Sequence, residues 1–161
     1  MSVWERSPIA GPVGGKSRAK AAGVLQKALL ELVGLSLLVK HLHWNVVGEG
    51  FLEVHRHLDE VHGMLSGHAD TVAERQVALG EAADGRPTAV AEYRPLPYRM
   101  PGFVHVGSVV SFMVEALRGL DDRLRGFVEA VEGHDRVTQD VLVGVARDVE
   151  KELWMWQAQQ G

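Results

Sequence analysis

Four long stretches of this chain repeat apolar residues at helical spacing, and each is cut off by glycine or proline. In the first, Val24, Leu25, Ala28, Leu29, Leu30, Val33, Leu35, Leu37 and Leu38 cover a broad face, which predicts a helix over 18–46. Gly48 and Gly50 break it, and a second helix is predicted over 51–79 with Gly80 as its stop. A third is predicted over 104–131, ended by Gly133, and a fourth over 136–156 after a turn containing Asp135. Between the second and third lie Gly85, Pro87, Pro95, Pro97 and Pro101, a long connection in which 88–93 is predicted to form a short helix. Pro8, Gly11, Pro12, Gly14 and Gly15 punctuate the start, so 1–17 is expected to be a flexible tail and 18–161 the folded domain.

Helices of this length bury their apolar faces against one another, and four make an all-α four-helix bundle. The connection between the second and third helices is long enough to run the length of the bundle, whereas an up-and-down bundle needs only short loops. Apolar residues are 46% of 161, enough for a real core. No run of about 18 apolar residues is seen, so no membrane span is expected. The chain has no cysteine, which excludes disulfides and thiolate metal sites and is compatible with a reducing cytoplasm. Its net charge of −4 argues against a body that binds nucleic acid in general.

Of eight histidines, six fall between His41 and His68. The second helix carries His55, Asp59, Asp70 and Glu74. Each pair is spaced four apart, and eleven residues from Asp59 to Asp70 is close to three whole turns, so all four share nearly one stripe. The two pairs are nevertheless separated by roughly 16 Å along the axis, against metal–ligand bonds of about 2 Å. No single ion reaches both. An antiparallel copy of the helix, related by a twofold axis near Met64 and Leu65, would set His55 and Asp59 of one chain against Asp70 and Glu74 of the other. Gly63, Ser66 and Gly67 sit beside that axis, where close approach of two helices would favour small residues. His43, near the end of the first helix, completes the His55/Asp59 half. Imidazole mixed with carboxylate suits iron, manganese or zinc better than calcium or copper(I). The competing reading is a solvated helix face on which His55 and Asp59 are incidental. His41, His57, His62 and His68 are expected at the surface or an interface; His62, seven residues after His55, is the possible accessory ligand among them.

Lys40-His41-Leu42-His43-Trp44-Asn45-Val46-Val47-Gly48 followed by Phe51 resembles the K-x-x-H-W-N-x-x-G-x-x-F signature of the Dps family. His55 and Asp59 resemble its H-x-x-x-D, and Asp70, Thr71, Ala73, Glu74 and Arg75 its D-x-x-A-E-R, followed by Leu79 and Gly80. Residues 148–154 are similar to the family's last helix. The resemblance implies a ferritin-like bundle assembled as a hollow homo-dodecamer. It implies a ferroxidase and iron store in which His43, His55 and Asp59 of one subunit, with Asp70 and Glu74 of its twofold partner, bind two Fe²⁺. These are oxidised preferentially by H₂O₂, and ferric mineral is deposited inside, protecting DNA from oxidative damage. Zinc fits the same ligands. The resemblance also places the Trp44 indole beside the iron site, where it absorbs stray oxidising equivalents; plain core packing is the alternative for Trp44. There is no Glu-x-x-His, so a di-iron site inside one bundle, as in larger ferritins, is not expected.

Asp122 and Asp135, in an acidic stretch late on the third helix and after it, are candidates for an iron-entry pore, with an ordinary solvated face as the alternative. Many members of the family coat DNA through a basic tail. Here Arg6, Lys16, Arg18 and Lys20 stand against Glu5, and twelve such tails could add through multivalency. The expected location is cytoplasmic, with nucleoid association if DNA is bound. The alternatives to an enzyme are a nucleoid DNA-compacting protein with a secondary metal site and a helical interaction module.

Overall fold

The structure, a computed structural model, describes residues 7–93 and 101–160. It contains α1 (Gly15–Asn45), a two-residue strand β1 (Val46–Val47), α2 (Phe51–Ala78), a short α3 (Pro87–Glu92), β2 (Val104–His105), α4 (Val106–Ala130), α5 (Arg136–Gln157) and a closing 3₁₀ turn (Ala158–Gln160). The four predicted long helices and the short one are all present. The third starts at Val106 rather than Val104 because Val104 and His105 pair in parallel with Val46 and Val47. The first starts at Gly15 rather than Arg18, so Lys16 lies on a helix and not in a tail.

That strand pairing fixes the topology. The chain leaves α2 at the end of the bundle opposite the α1–α2 turn, yet Val104 arrives beside Val46 at the turn itself. The connection therefore travels the bundle's length, and α4 starts out parallel to α2. At the far end Ser17 Oγ meets His134 Nδ1 at 3.2 Å. Up α5, Asp135, Asp148 and Glu152 meet Arg75, His68 and His57 in turn, so α2 and α5 are antiparallel.

The core is a stack of fully buried side chains: Leu25, Leu32 and Leu42 of α1, Leu58 and Leu65 of α2, Met113, Leu117 and Leu124 of α4, and Leu142 and Trp156 of α5. Each aliphatic side chain buried this way contributes about 1.5–3 kcal/mol. α1 is more apolar than expected. An 18-residue window within it has mean hydropathy 1.7, long and apolar enough to cross a membrane, but 67% of that window is buried inside the protein. The reason is two-sided burial: α1 packs on α2 along one flank and on α4 and α3 along others.

Polar groups pin the crossing connection. Buried Glu31 of α1 pairs with Arg123 Nε of α4 at 2.7 Å, and Tyr93 Oη, just after α3, donates to it at 3.1 Å. Gln26 Nε2 donates to the Asp84 carbonyl at 2.8 Å and Gln26 Oε1 accepts from its amide at 2.9 Å. Residues 9–11 of the expected tail lie against the end of α2. Gly80 takes φ +86, and a Cβ there would stand 2.7 Å from the Ile9 carbonyl oxygen; a Cβ on Gly11 would stand 2.2 Å from that of Leu79. Only glycine permits both the turn and the approach.

Candidate metal centre

The turn between α1 and α2 brings His43 and His55 together. His43 Nδ1 donates to the carbonyl of His55 at 2.8 Å, and His55 Nδ1 donates to the carbonyl of His43 at 2.8 Å. A carbonyl only accepts, so both Nδ1 atoms carry their protons and Nε2 is the nitrogen each ring can offer to a metal. Fixing one nitrogen by a backbone carbonyl to present the other is the usual way a protein orients a metal-binding imidazole. The rings stack with centroids 3.8 Å apart and planes 23° from parallel, and Phe51 lies against His55 at 5.1 Å. They open onto a surface hollow also lined by Leu52, Arg56, Asp59 and Glu60.

Asp59 lines this hollow but is engaged elsewhere: Lys40 Nζ of α1 donates to its Oδ1. That hydrogen bond, aided by the charges of Lys40, His43 and His62, holds the Asp59 carboxyl below the usual carboxylate range despite some desolvation. Asp70 and Glu74 are exposed three turns further down α2. Among the described residues no three histidine or carboxylate side chains of one chain converge as a metal cluster.

The other candidates have separate surroundings. His62 Nδ1 lies 2.9 Å from Ser36 Oγ, whose hydroxyl also meets Ser66 at 3.1 Å, so it belongs to the α1–α2 seam. His57 donates to Glu152 at 2.8 Å and stacks on Trp156 at 4.4 Å, and His68 donates to Asp148 at 3.0 Å, both on the α5 side of α2. Trp44 is 67% exposed, which excludes core packing within one chain. Asp122 is exposed on α4. Asp135 is buried: it caps α5 by accepting from Thr138 N at 3.3 Å and pairs with Arg75 at 2.5 Å. Burial raises its pKa, but the bonds from Arg75 and Thr138 outweigh this and leave it lowered. Lys16 and Lys20 are exposed on α1, Arg18 pairs with Glu81 at 3.2 Å, and Arg6 lies outside the described residues. That Lys40 partners Asp59 is not legible in the sequence: nineteen residues separate them, and only the pairing of α1 with α2 brings them together.

Residues 23–161 match the model of the ferritin-like domain. The DNA protection during starvation protein of Mycolicibacterium smegmatis is 34% identical over 143 residues, covering 89% of this chain and 78% of that protein. That of Agrobacterium fabrum is 29% identical, covering 88% of each. Among solved structures, Mycobacterium smegmatis Dps in its tetragonal form superposes with a TM-score of 0.88 at 31% identity, covering 99% of this chain and 94% of the other. DpsA14 from Streptomyces coelicolor gives 0.89 at 33% identity, covering 96% and 92%. Dps from Microbacterium arborescens in the high iron form gives 0.87 at 29% identity, covering 93% and 98%. With the bundle, the crossing connection and these likenesses together, the chain belongs to the Dps family of ferritin-like proteins.

Proposed function

We propose that this protein is a ferroxidase and iron store whose site is completed by a second copy of the chain. The observation that carries the reading is the reciprocal His43–His55 pair, which turns both Nδ1 atoms onto carbonyls and leaves the two Nε2 atoms as the ligands on offer beside Asp59, too few for an ion. Asp70 and Glu74 supply the missing carboxylates if a second α2 lies antiparallel on the first. The face this requires carries exposed apolar side chains beside the carboxylates: Leu37 is 60% exposed and Leu52 46%. Cβ atoms added at Gly63 and Gly67 would meet nothing within 4 Å. A shallow hollow lined by Leu29, Val33, Ala69 and Ala73 runs along the same seam. Exposed apolar surface of this kind marks association.

Iron is the substrate. Two Fe²⁺ held between two half-sites each yield one electron to H₂O₂, which takes two protons and leaves as two waters, so no hydroxyl radical need be released. Histidine and carboxylate suit both the ferrous and ferric states, and the same set accepts Zn²⁺. Hollow dodecamers would store the ferric product, and Trp44, exposed next to His43, is placed to intercept stray oxidising equivalents. The test is anaerobic Fe²⁺ titration followed by H₂O₂. Binding of about two ions per complete site and fast oxidation are expected, with both lost in the His43→Ala/His55→Ala/Asp59→Ala variant. Unchanged oxidation in that variant rejects the site.

A second activity, DNA compaction, is favoured by the relatives' role in DNA protection and by exposed Lys16 and Lys20 on α1. A low-salt gel shift with the intact chain and with residues 1–17 removed decides it: no shift with the intact chain rejects DNA binding.

A further inference from the structure

We infer that Lys40 is a built-in competitor for the metal position at Asp59, and that the first divalent ion to enter must displace it. The inference rests on the site reading above. Lys40 and Asp59 meet across the α1–α2 seam, and Asp59 lines the hollow shared with His43 and His55. The ammonium sits on Asp59 Oδ1, and His43 and His62 also act on that charge. A dication on the same carboxylate and an ammonium at hydrogen-bond distance from it are repelled at the width of one carboxyl group, with two charges against one. One hydrogen bond does not offset that repulsion, so the ammonium leaves with its protons as the ion arrives. Release is feasible because the pair is open to water: the Lys40 side chain is 26% exposed and that of Asp59 55%. No covalent bond changes and no electron moves; a counter-ion is exchanged. Between metal-loading events Lys40 thereby neutralises a carboxylate that would otherwise stand bare beside two imidazoles.

The opposite role is a positioning one, in which Lys40 holds Asp59 in a metal-ready rotamer and helps binding. Zn²⁺ calorimetry on the metal-stripped, assembled full-length protein separates the two. Lys40→Met removes the charge and keeps the stem; Lys40→Arg keeps the charge. Competition predicts Zn²⁺ affinity about three- to five-fold tighter in Lys40→Met, from the free energy of an exposed ion pair, with Lys40→Arg close to the parent. Affinity unchanged or weakened in Lys40→Met overturns the inference. Lys40→Gln is measured alongside, with assembly size; if both uncharged variants fail to assemble, Lys40 is a structural clamp and the inference is also overturned. The His43→Ala/His55→Ala variant is the control for the site itself. Zn²⁺ binding that survives there rejects the site, whereas binding lost there with no gain in Lys40→Met rejects only the role of Lys40.

Discussion

At the scale of the residue, the structure separates carboxylates that look alike in sequence. Asp59 is exposed to solvent and exchangeable, while Asp135 is 8% exposed and bonded to Arg75, Thr138 Oγ1 and the first turn of α5. Removing Asp135 would strand a half-buried guanidinium and leave the helix uncapped. Asp135→Ala is therefore expected to cost about 3–5 kcal/mol in chemical unfolding at pH 7. The sign with pH follows from its lowered pKa. The stabilisation is fully present above the unfolded value of about 3.9 and is lost as pH falls through the folded one. The difference between parent and Asp135→Ala should thus shrink in unfolding midpoints taken from pH 5 downwards; a difference that grows there would contradict the assignment. A pore role for Asp135 would require its carboxylate to leave both partners.

At the scale of the element, the crossing connection is what distinguishes this bundle from an up-and-down one, and a few polar contacts place it. Tyr93 has its phenol pKa pushed up to about 12 by burial and then by the neighbouring Glu31 carboxylate. Glu31→Ala removes that negative charge and the acceptor. The Tyr93 transition in an absorbance titration is expected to move down towards 10, and amide exchange in α3 to speed up. An unmoved transition would mean that Glu31 does not govern the phenol. Gly80→Ala tests the other anchor. The positive φ and the 2.7 Å approach to Ile9 both oppose a side chain, so a loss of about 1–3 kcal/mol in thermal or urea unfolding is expected.

At the scale of the whole molecule, the proposed function makes a single chain an incomplete site with exposed apolar residues on one flank. Leu37 and Leu52 mark that flank, and both are predicted to be covered by a second copy. Leu37→Glu is expected to yield a smaller species by light scattering and to lose Fe²⁺ binding while far-ultraviolet circular dichroism stays helical. Retention of both size and metal binding would remove the α1–α2 seam as the interface. The predicted coupling of assembly to chemistry is the property that ligand-removal variants alone cannot reveal.

The sequence by itself determined the helices, the long crossing connection and the family, because helical periodicity, glycine stops and the spacing of His43, His55, Asp59, Asp70 and Glu74 are local patterns along one strand of text. It also puts the two candidate pairs, His55/Asp59 and Asp70/Glu74, too far apart for one ion, since helical rise is a property of the backbone alone. What only the tertiary structure decided depends on which helices lie side by side. The exchange of ring-to-carbonyl hydrogen bonds between His43 and His55, the capture of Asp59 by Lys40, the turning of His57 and His68 towards α5, and the burial of Asp135 all join residues far apart in sequence. Helix ends moved for the same reason: Val104 and His105, expected within the third helix, pair instead with Val46 and Val47. A polar side chain takes its role from the partner that packing brings to it, and packing is not written at any one position.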